Sequence, residues 1–83
     1  MTIHVTEQDI AAGTPGHPSR CPVGLALTRY TGHTWLVEPT CVHEDGQLFE
    51  VALPQSAERF QSRFDFGDPV EPFSFEFNPT AIR

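Results

Sequence analysis

The sequence predicts a small α+β domain in the order β-α-α-β-β-β-α-β, with a mainly antiparallel sheet and its helices on one face. Three observations carry that prediction. Phe73, Phe75 and Phe77 alternate with Ser74 and Glu76, the two-residue period of a half-buried strand. Val23, Leu27 and Tyr30 recur at i, i+4 and i+7, the period of one helix face. Asp45-Gly46 lies between two strand-like runs, as the central pair of a type I′ hairpin turn does.

Ile3-His4-Val5 alternates and reads as the first strand. Thr6 followed by Asp9 marks a helix start, where Glu7 and Asp9 meet the positive end of the helix dipole. Gly13 is expected to end that helix in a left-handed cap. Two prolines and a glycine make Thr14 to Ser19 a loop. Ser19 is then the expected N-cap of the second helix, with Pro22 tolerated in its first turn and Gly32 closing it. Gly24 inside that helix weakens it by about 1 kcal/mol relative to Ala, and either admits another backbone or is simply tolerated.

Trp35-Leu36-Val37 reads as the second strand, stopped by Pro39. The hairpin turn at Asp45-Gly46 sets Glu44 against Gln47, His43 against Leu48, Val42 against Phe49 and Cys41 against Glu50. Phe49, Val51 and Leu53 then join Val42 in the core, while Cys41, His43 and Glu50 share the opposite face. Ser56 is the expected cap of a third helix, with Ala57, Phe60 and Phe64 as its apolar stripe. Arg59 and Arg63 lie one turn apart on another face, and Gly67 ends the helix.

At 83 residues the chain has room for one core. Five basic and eleven acidic residues give a net charge of −6, and every basic residue is Arg. That balance argues against binding a nucleic-acid polymer or an anionic membrane. No apolar run is long enough to span a bilayer, and the first residues do not form a signal peptide. The expectation is therefore a cytoplasmic protein with Cys21 and Cys41 as free thiols. Domains this small often gain stability by association, so a homo-oligomer is expected.

The clearest candidate site is the loop and helix start from Gly16 to Pro22. A helix N-terminus offers unpaired N–H groups, Ser19 a hydroxyl, Arg20 a fork of phosphate donors and His17 a titratable donor. Cys21 beside a helix start is a candidate low-pKa nucleophile with His17 as base, but no third member or oxyanion hole accompanies it. His17-x-x-x-Cys21 and Cys41-x-His43 could each donate two zinc ligands. The strong zinc pattern of close Cys-x-x-Cys pairs is absent, so neither metal nor other cofactor is predicted. Tyr30 and Trp35 are candidates for stacking on a base, although their periodic positions suit a core. Arg59 and Arg63 form either a solvated face or an anion clamp.

Three stretches also carry a family resemblance. They are Val5-Thr6-Glu7-Gln8-Asp9-Ile10-Ala11-Ala12-Gly13, the helix start Cys21-Pro22-Val23-Gly24-Leu25-Ala26-Leu27, and the run from Leu53-Pro54 through Phe64-Asp65-Phe66-Gly67 to Val70-Glu71-Pro72-Phe73-Ser74-Phe75-Glu76-Phe77. Together they resemble a family of small uncharacterised phage and prophage proteins, especially those of actinobacteriophages. Gly24 departs from the pattern, which usually has Ala there. The resemblance implies a phage product and assigns no catalytic residue.

The expected function is thus non-enzymatic counter-defence: binding and sequestering a small phosphorylated immune signal, a nucleotide by class. The ligand set would be His17, Ser19, Arg20, Cys21, Tyr30, Trp35, Arg59 and Arg63. The alternative is an acidic inhibitor of a host defence or DNA-binding protein.

Overall fold

The computed structural model describes residues 1–78, so Arg83 lies outside the described residues. The elements are β1 (Thr2–Val5), α1 (Glu7–Ala12), α2 (Pro22–Thr31), β2 (Trp35–Val37), β3 (Cys41–Glu44), β4 (Val51–Ala52), α3 (Gln55–Phe66) and β5 (Phe73–Glu76). The predicted order and antiparallel pairing both hold. The strands divide into two sheets, β1-β5 and β2-β3-β4. No helix among the described residues is long and apolar enough to cross a membrane.

α2 packs against a strand of each sheet, β1 and β2, and against both other helices. Its buried Val23, Ala26 and Leu27 meet Ile3, Val5, Val42, Val51 and the aromatic side chains in one core. Those aromatics run in contact from helix to strand. Phe60 stacks on Phe73 at 4.5 Å, Phe73 on Phe75 at 5.7 Å, and Phe75 meets Phe77 edge-on at 6.4 Å. Phe77 then meets Trp35 of β2 edge-on at 5.3 Å, so one contact ties the two sheets together.

Several local expectations are corrected. Thr6 does cap α1, in a reciprocal box with Asp9, but Gly13 ends that helix in extended geometry rather than left-handed. The N-cap of α2 is Cys21, not Ser19. Its sulfur accepts from the Gly24 N–H at 3.4 Å, a role the hydroxyl of Ser19 was expected to fill. Tyr30 leaves the buried face: it sits in the last turn of α2, 42% exposed, with its ring 6.2 Å from that of His4. α3 begins one residue before Ser56. The Pro54 carbonyl accepts from the Ala57 and Glu58 N–H groups, with no side-chain cap.

The hairpin register differs as well. Gln47 N–H donates to the Glu44 carbonyl at 2.9 Å, so a tight turn forms at Asp45-Gly46. Only Gly46 of that pair has positive φ, so the turn is not type I′, which needs it at both central residues. The ladder resumes at Val42↔Val51 and Cys41↔Ala52, two residues beyond the expected partners. A two-residue shift keeps every side chain on its face, so Val42, Val51 and Leu53 stay buried. Phe49 drops out of the ladder and is 44% exposed.

Gly24 is required by a close approach. A Cβ there would lie 2.9 Å from the Ser19 carbonyl oxygen and 3.3 Å from that of Pro18. Both neighbours are backbone, so the loop before α2 would have to move. Gly24→Ala gains about 1 kcal/mol of helix propensity but incurs overpacking of about 1–3 kcal/mol. A net loss of stability is expected in urea unfolding. An unchanged or higher midpoint would show that the loop yields freely.

Candidate functional site

The loop before α2 folds around His17. Its Nδ1 accepts from the backbone N–H groups of Ser19 and Arg20, at 3.3 and 3.2 Å. Its carbonyl accepts from the Cys21 N–H at 3.1 Å. His17, Ser19 and Cys21 are thus brought together, but as a self-satisfied turn. The imidazole occupies backbone donors that an anion would use. Arg20 is exposed, and its side chain has no hydrogen bond or ion pair among the described residues.

Cys21 is completely buried, and burial pushes its thiol pKa up. The Gly24 N–H and other donors oppose that shift without reversing it, and the Asp65 carboxylate adds to it. A thiol in this state packs and caps, and burial works against the low-pKa nucleophile that its place at a helix start had offered as a candidate. Trp35 is equally committed to the interior. It is 5% exposed, and its indole N–H donates to the Thr31 hydroxyl at 2.8 Å.

Arg29, not singled out as a site residue, carries the shortest ion pair among the described residues. Its guanidinium grips the buried Asp9 carboxylate at 2.5 and 3.0 Å and donates to the His4 carbonyl at 2.8 Å. Burial opposes ionisation of Asp9. Hydrogen bonds from Arg29 and from the Thr6 N–H and hydroxyl outweigh it and hold the carboxyl below its ordinary value. The same guanidinium lies 5.4 Å from the Tyr30 ring centroid. Tyr30 is therefore engaged with a structural Arg, away from the α2 start. Nothing in the spacing of Asp9 and Arg29 announced the pair, because they lie 20 positions apart in the chain, across loop and helix.

Arg59 and Arg63 are placed differently. Both line an open groove of about 640 Å³ between α3 and the segment Pro69 to Phe73. Ser56 and Phe60 complete its helical wall, and Val70, Glu71 and Pro72 its other side. Arg63 is steadied by donating to the Pro69 carbonyl at 3.3 Å. Arg59 is exposed and has no carboxylate partner among the described residues, despite the acidic composition of the chain. Among the described residues, Glu71 is the one carboxylate on the lining. His17, Ser19, Arg20, Cys21, Tyr30 and Trp35 do not line this groove, so the eight candidates fall into separate places. The helical spacing of the two arginines was legible. The wall opposite them was not, because 69–72 form no regular element.

No protein-family model, curated protein or solved structure matches the chain.

Proposed function

We propose that the chain binds and sequesters a small phosphorylated ligand, a nucleotide by class, in the groove between α3 and residues 69–73, with no catalytic step. The observation that carries this reading is the convergence of Arg59 and Arg63 on one groove, with Arg59 unpaired among the described residues. Two guanidinium forks suit a phosphate chain, because each can donate two charge-assisted hydrogen bonds. Half-buried Phe73 offers an apolar surface beside them, and Glu71 suits a sugar hydroxyl or base amino group. A second copy of the chain would close the open side of the groove. The counter-defence role rests on the phage resemblance.

Calorimetric titration with a panel of mono-, di- and triphosphate nucleotides tests the assignment. The wild-type chain is expected to bind one class. The Arg59→Ala Arg63→Ala variant should bind it about 100-fold more weakly, since each charged hydrogen bond is worth roughly 1.5–3 kcal/mol. Arg20→Ala should bind as wild type. Unchanged affinity in the double variant removes the groove from the account, and loss in Arg20→Ala moves the ligand to the start of α2.

One observation favours a second reading. Leu48 and Phe49 are exposed between Asp45 and Glu50, an apolar tip with acidic flanks. Such a tip fits the acidic inhibitor of a basic protein.

A further inference from the structure

The outward face of the β2-β3-β4 sheet gathers a different set of donors. Cys41 lies at the start of β3, Glu38 just after β2 and Glu50 just before β4. The Cys41 sulfur and a carboxylate oxygen from each glutamate all lie within 4.8 Å of one another. The thiol donates to Glu38 Oε2 at 3.2 Å. His43, two residues along β3, brings its Nδ1 to 3.8 Å from the same oxygen. Cys41 and His43 share one face of β3, and Glu50 reaches Cys41 from the irregular segment just before β4.

No Arg pairs with Glu38 or Glu50 among the described residues. The partners they do have are the thiol and an imidazole, both transition-metal ligands.

We propose that Cys41, Glu38, Glu50 and His43 form a zinc site that clips the three-stranded sheet to the turn at 45–50. Zinc takes sulfur, nitrogen and carboxylate oxygen together in tetrahedral sites, whereas magnesium and calcium select oxygen alone. Ligand atoms around a tetrahedral zinc lie about 3.3–3.8 Å apart, so the sulfur and the two carboxylate oxygens, now within 4.8 Å of one another, need draw together by only about an ångström, with His43 closing in as the fourth ligand. Cys41 is 4% exposed but Glu38 and Glu50 are exposed, which leaves an entry path for the ion. On binding, the thiol proton passes to solvent and the thiolate becomes a ligand. The site shares no residue with the arginine groove, and each stands without the other.

The test uses chelator-treated full chain titrated with zinc alone, and with cobalt as a spectroscopic probe. One equivalent of metal should bind and raise the melting temperature. Cobalt should show a thiolate charge-transfer band and tetrahedral d–d bands. Cys41→Ser should lose the thiolate band. Glu50→Gln and Glu38→Gln, both at exposed positions, should each weaken zinc binding by about tenfold or more. These two variants decide the matter should Cys41→Ser fail to fold. Absence of stoichiometric binding overturns the proposal. So does a cobalt complex without a thiolate band, or full zinc affinity in both glutamine variants.

Discussion

Phe77→Ala is expected to cost about 3–5 kcal/mol, the largest stability effect of any single truncation considered. Phe77 is 1% exposed, and its ring joins the β1-β5 sheet to Trp35 of the other sheet. Truncation removes the apolar burial, the edge-on aromatic pair and the filling of the space between sheets. The residue also exchanges backbone hydrogen bonds with Met1, which the substitution leaves in place. A chain of this length has roughly 4–12 kcal/mol of stability in total. The variant should therefore be marginal or unfolded at room temperature by near-ultraviolet circular dichroism. A loss under about 1 kcal/mol would mean that the two sheets are held together elsewhere.

Asp9→Ala should cost about 2–3 kcal/mol near neutral pH, because it removes the reciprocal box with Thr6 and both bonds from Arg29. The loss is smaller than for a fully buried ion pair, because the Arg29 side chain is 46% exposed and regains water when its partner is lost. A melting temperature lower by roughly 10–20 °C is the corresponding readout. The sign of the pH dependence follows from the depressed carboxyl. Its stabilisation is fully present above the ordinary value of 3.8 and is lost as pH falls through the lower folded value. The gap between wild type and Asp9→Ala should therefore shrink on going from neutral pH to about pH 2. A gap that stays constant would show that packing, not the ionised carboxylate, carries the contribution of Asp9.

What the sequence reveals and what it conceals follow from the range of the interactions involved. The Phe73-Phe75-Phe77 strand and the Ala57-Phe60-Phe64 stripe were legible, because a period of two or of about 3.6 is a local signal. The cap of α2 was misplaced because Ser19 is the better intrinsic cap. Cys21 takes the role only because the His17 turn places it there. Tyr30 has the right spacing for the core, but its turn of the helix runs out beside His4 and Arg29. The hairpin was found with its partners displaced, since turn geometry sets register and residues 47–50 join no strand. Site assignment suffered most. The groove depends on where residues 69–73 cross α3, and the Glu38-Cys41-Glu50 cluster depends on that displaced register.

The most direct test of the arginine groove is native mass spectrometry of the chain expressed in a nucleotide-replete cell, beside Arg59→Ala Arg63→Ala prepared identically. The account predicts a retained mass matching a phosphorylated small molecule on the wild type, lost on denaturation and missing from the double variant. It also reads the oligomer directly. The same retained mass on both proteins, or a wild-type chain that carries none while candidate nucleotides are present, would contradict the account.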